Sequence, residues 1–123
     1  MNRKPKILYV DDEFINLQLF KINFDNKYEV FTAENGITGL EVLDNNPDIV
    51  VVISDMKMPI MTGLEFIQKA KVKYPNIKYY ILTGYDITDE IQEAIDAKLI
   101  LNYFRKPFDI NEIEDAIRTV LKK

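Results

Sequence analysis

The stretch 48-DIVVVISDMKMPIMTG-63 decides the fold. Residues 49–53 are apolar and the run through Ser54 shows no polar alternation, which is the pattern of a strand covered on both faces. The run ends on a single carboxylate, Asp55, and a loop carrying Pro59 and Gly63 follows at once. Strands covered on both faces belong to parallel sheets flanked by helices, so the rest of the chain has to supply helices between further strands.

It does. Further apolar runs stand at 7-ILYV-10, 28-YEVFTA-33, 79-YYILT-83 and 99-LILNYF-104. The run at 28–33 alternates, through Glu29 and Thr32, and suits an edge strand. Between the runs lie stretches of helical period. Phe14, Leu17 and Phe24, interleaved with Ile15, Leu19 and Ile22, predict a helix near 13–24. Leu40 and Leu43 mark one near 36–45, stopped before Pro47. Thr62 and Glu65 resemble a capping box for one near 63–73, ended before Pro75. Ile87, Ile91, Ala94 and Ile95 mark a fourth. Asp109 can cap a fifth, with Ile110, Ile113, Ile117 and Val120 on one face. The β-α unit repeats five times, so the expectation is a flavodoxin-like, doubly wound (βα)5 α/β domain over residues 1–123. Its five-stranded parallel sheet would have the order 2-1-3-4-5.

Composition narrows the chemistry. The chain has 123 residues, 47% of them apolar, and a formal charge of −4, which argues against a nucleic-acid surface. It has no cysteine and no histidine. Thiolate and imidazole catalysis and Cys- or His-ligated metals are therefore excluded, and any metal must be a hard cation on oxygen ligands. The polar start and the absence of a long apolar run predict a soluble, cytoplasmic protein without a membrane segment.

Open α/β sheets carry their ligand site at the carboxyl ends of the strands. Strand one ends in Asp11, Asp12 and Glu13, strand three in Asp55, strand four in Thr83-Gly84, and strand five is followed by Lys106-Pro107. In the order 2-1-3-4-5, Asp11, Asp12 and Asp55 crowd one pocket and require a counter-charge, for which Mg²⁺ or Mn²⁺ fits an all-oxygen site. Thr83 would add a hydroxyl and Lys106 an ammonium. A carboxylate so placed can attack phosphorus and become an aspartyl phosphate, with Asp55 as the acceptor.

These pieces, 7-ILYVDDE-13, 55-DMKMPIMTG-63, 82-LTG-84 and 103-YFRKPF-108, make the chain resemble a bacterial two-component response-regulator receiver domain along essentially its whole length, of the stand-alone chemotaxis or sporulation type. The resemblance implies that a histidine kinase or histidine-containing phosphotransfer protein phosphorylates Asp55 and that self-hydrolysis slowly reverses it. It implies Mg²⁺ on Asp11, Asp12, Asp55 and the backbone carbonyl of Lys57, with Thr83 holding the phosphoryl group and Lys106 pairing with it. Thr83 and Tyr103 would be the switch residues, and Lys57 and Tyr85 would tune phosphoryl lifetime. It also implies a cis Lys106-Pro107 bond, and a changed face of helix four, strand five and helix five, roughly 87–121, for an effector, an output domain or a second copy. The chain would thus be a phosphoacceptor and not an enzyme beyond its own dephosphorylation.

Plainer readings stand beside these. Asp11 and Asp12 could simply cap helix one. Tyr103 could be half-buried packing, and Tyr79, Tyr80 and Phe104 read as core. Met56, Met58 and Met61 read as loop packing, and lysines 69, 71 and 73 as a solvated helix end. Two other functions share the chemistry: a Mg²⁺-dependent aspartyl-phosphate phosphatase, and a degenerate receiver that binds a partner without phosphorylation.

Overall fold

The computed structural model describes residues 4–84 and 88–122. Five strands alternate with five helices: β1 (Lys6–Val10), α1 (Phe14–Phe24), β2 (Glu29–Ala33), α2 (Gly36–Asn45), β3 (Val51–Asp55), α3 (Gly63–Lys73), β4 (Lys78–Thr83), α4 (Asp89–Asp96), β5 (Asn102–Arg105) and α5 (Ile110–Leu121). All strand pairs are parallel, and the order is β2-β1-β3-β4-β5. The alternating run at 28–33 is an edge strand, as its pattern predicts, and the uniformly apolar run lies at the centre with every residue of β3 buried.

The period of two along each strand divides the core into two layers. Leu8 and Val10 of β1, Val52 of β3 and Ile81 of β4 meet Leu43, Phe66, Ile67 and Ile91 from α2, α3 and α4. Ile7 and Tyr9, Val51 and Ile53, and Tyr80 and Leu82 point the other way, onto Leu17 and Phe20 of α1 and Ile113 and Ile117 of α5. Tyr79, Tyr80 and Phe104 are buried, and Met56, Met58 and Met61 pack against the first layer. Lys73 reaches Asp44, and Lys71 the backbone carbonyl of Lys98, so the end of α3 is tied to its neighbours more than a solvated end requires.

Caps fix the helix starts where the strand ends need them. Thr62 Oγ1 accepts from Glu65 N (3.2 Å) while Glu65 Oε1 accepts from Thr62 N (2.8 Å), a complete capping box. Asp109 accepts from the backbone N–H groups of Asn111 and Glu112, and Thr88 from that of Ile91. Helix α1 starts without such a cap. Its N-cap residue is Glu13, with no side-chain cap bond, and neither Asp11 nor Asp12 holds that position.

Strand five starts later than the apolar run 99–104 predicts. Lys98 takes a left-handed conformation (φ 63°), and the amides of Leu99 and Ile100 both donate to Ala94 O. Residues 98–100 thus close the end of α4. Ile100 is buried as a plug between α4 and the sheet, so its apolarity serves that turn and not the strand. Tyr85 and Ile87 lie outside the described residues, and within them α4 begins at Asp89.

Candidate functional site

The register brings the strand ends level. Val10 pairs with Ser54 across β1 and β3, Asp55 with Leu82 across β3 and β4, and Thr83 with Arg105 across β4 and β5. The residues just past these pairs therefore converge. One carboxylate oxygen from each of Asp11, Asp12 and Asp55 lies within 4.8 Å of the others. Asp11 has no exposed surface, Asp55 is buried, and Asp12 is open to solvent.

Lys106 enters from the far side of the sheet. Its Nζ stands 3.2 Å from Asp11 Oδ2 and 3.3 Å from Asp55 Oδ1, bridging both acids. Its backbone N–H donates to Thr83 O (2.8 Å), which ties it to the end of β4, and the Lys106–Pro107 bond is cis. Thr83, at the end of β4, is buried. Lys57 and Gly84 join Asp12, Glu13, Asp55 and Lys106 around a shallow open cavity of about 410 Å³. The loop after Asp55 is drawn in by Gly63, whose N–H donates to Met56 O at 2.8 Å. A Cβ at Gly63 would stand 2.2 Å from Asp55 O.

Three carboxylates facing one ammonium leave this corner negative. Burial, and then the neighbouring Asp11, push the Asp55 carboxyl up from 3.8 to about 6, even though Lys106 pulls the other way. Burial lowers the affinity of the Lys106 amine for its proton, but Asp55 and Asp11 outweigh it, and the net direction is upward. The arrangement is an anionic pocket in need of positive charge, with an ammonium at its base and an opening through which a small anion and a cation can enter.

The predicted residues fall into three groups. Asp11, Asp12, Asp55 and Lys106 meet, Thr83 lies at the end of the strand between Asp55 and Lys106, and Lys57 sits on the rim with its side chain exposed. Tyr103 is half-buried against the α2–α3–α4 layer and does not line the acid cavity. Tyr85 is outside the described residues.

Two side chains not predicted belong to the site. The Tyr9 hydroxyl donates to Asp11 Oδ2 (2.5 Å), and Asn16 Nδ2 donates to the same oxygen (3.2 Å). Tyr9 stands two residues before Asp11 on the same side of the strand, and this spacing was the available signal. Asn16 had none, because a polar residue in the first turn of a helix is ordinary.

Residues 7–118 match the model of the response regulator receiver domain family. The chain is 40% identical over 118 residues to sporulation initiation phosphotransferase F of Bacillus subtilis, covering 94% of this chain and 93% of that one. It is 32% identical over 123 residues to a chemotaxis protein CheY homolog of Campylobacter jejuni, covering 94% and 92%. A solved response regulator receiver domain protein from Clostridium thermocellum superposes with a TM-score of 0.88 at 34% identity, over 94% of this chain and 93% of the other.

Proposed function

Because the chain belongs to the family of response regulator receiver domains, we propose that it is a phosphorylation-controlled signalling switch with Asp55 as its acceptor. The observation that carries this reading is the position of the Asp55 carboxylate: buried on its strand, bridged to Asp11 by Lys106, yet facing an open cavity. An Asp55 oxygen attacks phosphorus while the bond from phosphorus to the donor's imidazole nitrogen breaks, its electron pair staying on that nitrogen. Residues 1–123 contain no histidine, so the imidazole lies outside them, on a histidine kinase or a histidine-containing phosphotransfer protein.

The donor set fits a hard divalent cation: oxygen ligands only, clustered, and with a charge deficit. Asp11, Asp12, Asp55 and the Lys57 carbonyl would hold Mg²⁺ or Mn²⁺, which would neutralise the acids and the phosphoryl oxygens. Lys106 pairs with the phosphoryl group after transfer, and the Thr83 hydroxyl donates to it. Movement of Thr83 makes room for Tyr103 to turn inward, so two arrangements of the α4–β5–α5 face interconvert and phosphorylation biases them. That face then meets an effector, an output domain or a second copy. Lys57, on the rim of the pocket, and Tyr85, two residues beyond Thr83 in the sequence, set how readily water reaches the aspartyl phosphate.

The phosphodonor needs a surface beside the pocket. Helix α1 leaves Phe14, Ile15 and Ile22 about 70% exposed, whereas its other face is core. A cleft lined by Leu19, Phe108 and Ile110 runs from this helix to Lys106 and Gly84 at the pocket. An apolar patch continuous with the acceptor site suits a helical segment that presents the donor imidazole. Ile15→Glu is expected to slow transfer from a protein donor by about tenfold or more and to leave labelling by acetyl phosphate unchanged. Equal slowing with both donors would count against docking on α1.

The reading itself is tested by incubating the protein with acetyl phosphate and Mg²⁺. One phosphoryl group per chain is expected by intact mass, and none after chelation with EDTA. Continuous turnover of a phosphomonoester would instead favour a phosphatase, and failure to label at all would favour a degenerate receiver. Against the latter, all the pocket residues are present and the four charged ones are assembled. The 40% identity to a protein named for phosphotransfer supports the acceptor role.

A further inference from the structure

Asp11 is held by more donors than its neighbours in the pocket. Its Oδ1 accepts from Glu13 N at 2.9 Å. Its Oδ2 accepts from the Tyr9 hydroxyl at 2.5 Å, from Asn16 Nδ2 at 3.2 Å and from Lys106 Nζ at 3.2 Å. A carboxylate has about four acceptor sites over its two oxygens. Oδ2 is therefore saturated, and Oδ1, with one donor, is the oxygen that keeps a lone pair to offer.

The donors on Oδ2 are fixed from behind. The Tyr9 ring is fully buried and stacks on Phe20 with centroids 4.4 Å apart, so the core and not a free rotamer sets the position of its hydroxyl. A phenol donating to a carboxylate makes a charge-assisted hydrogen bond. Asn16 is steadied by a second bond, to Glu13 Oε1 at 2.9 Å. A phenol is also an unusual thing to bury beside an acid cluster, and the Asp11 contact is the one hydrogen bond its hydroxyl donates.

We propose that the Tyr9 hydroxyl and the Asn16 amide form a clamp that turns the Asp11 carboxylate for cation binding, making both of them positioning residues of the pocket. The clamp does two things. It fixes the rotation of the carboxylate, so that Oδ2 is taken up by donors of the protein and Oδ1, with its single donor, stays available to a cation shared with Asp12 and Asp55. It also answers part of the charge on a fully buried acid, so Lys106 is not drawn wholly onto Asp11 and stays available to Asp55 and to what Asp55 carries. The inference rests on a divalent cation occupying the acid pocket.

Calorimetric titration of the metal-free protein with Mg²⁺ tests both layers. The wild type is expected to bind, and absence of uptake there would overturn the metal reading itself. Tyr9→Phe keeps the ring on Phe20 and removes only the hydroxyl, so Mg²⁺ affinity is expected to fall about tenfold. At saturating Mg²⁺ the variant's labelling by acetyl phosphate is expected to recover most of the wild-type rate, because the defect lies in cation binding and not in transfer. Phe20→Leu keeps the hydroxyl and only loosens the stack that positions it, so it is expected to lose stability and to lose less affinity than Tyr9→Phe. An affinity for Tyr9→Phe within about twofold of wild type, or an equal loss in Phe20→Leu, would overturn the clamp. If Tyr9→Phe folds poorly, Asn16→Ala on the half-exposed side of α1 decides in its place. A loss of about threefold supports the clamp, and unchanged affinity removes it.

Discussion

Asp55→Asn is expected to abolish phosphoryl uptake from acetyl phosphate and, in metal-free buffer at pH 7, to make the protein more stable. The first effect follows from losing the nucleophile: an amide oxygen at the same place is a far poorer one, and the other two acids of the pocket are held differently, Asp11 buried under four donors and Asp12 in solvent. Retained labelling in this variant would remove the site assignment. The second effect follows from linkage. The folded state raises the Asp55 carboxyl from 3.8 to about 6, chiefly through burial and the nearby Asp11. A group whose proton is held more tightly in the fold stabilises the fold fully below the unfolded value, and that contribution is lost as pH rises through 6. At pH 7 the wild type carries an ionised, poorly solvated acid and the amide variant does not. The gain is about 1–2 kcal/mol, less than the full shift implies because Lys106 loses a charged partner, or a few degrees in melting temperature. Melts at pH 7 and pH 4 check the sign, since the advantage of the amide should shrink as the wild-type acid takes up its proton.

Gly63→Ala is expected to cost roughly 3 kcal/mol and to impair labelling beyond what the lost stability explains. The new methyl group would meet Asp55 O at 2.2 Å and Ile81 Cδ1 at 2.9 Å. A side-chain methyl can rotate away, but a carbonyl oxygen belonging to the acceptor residue cannot, because moving it moves Asp55. The N–H of Gly63 also closes the loop on Met56 O, so the loop cannot swing out without breaking that bond. Displacement of a reacting group by about 1 Å can cost a hundredfold in rate. Urea denaturation measures the first effect, and single-exponential labelling of the folded fraction the second. A midpoint matching wild type would mean that the loop has slack the close approach does not show.

Much of this was legible in the sequence because each piece carried its own physical signature. The central strand announced itself by lacking alternation, the edge strand by having it, and three helix limits by Pro47, Pro75 and the Thr62–Glu65 pair. Asp11, Asp55, Thr83 and Lys106 were legible because each sits where a strand stops, and the winding rule sends strand ends to one side. What could not be read is what depends on a second partner. Leu99 and Ile100 look like strand, yet they are apolar in order to seal α4, and only the position of Ala94 shows it. Glu13 takes the cap position that Asp11 and Asp12 seemed made for, because both acids are turned toward the pocket. Tyr9 reads as an ordinary strand aromatic until its hydroxyl is seen on Asp11.

The bridge from Lys106 to Asp11 spans 95 positions of the chain. On a translating ribosome the acids of the first and third strands therefore emerge well before the ammonium that reconciles them. Until β5 and the residues after it are free of the exit tunnel, a sheet built from the earlier strands would gather Asp11, Asp12 and Asp55 without that ammonium. The one ammonium that bridges Asp11 and Asp55 thus arrives only with the fifth βα unit.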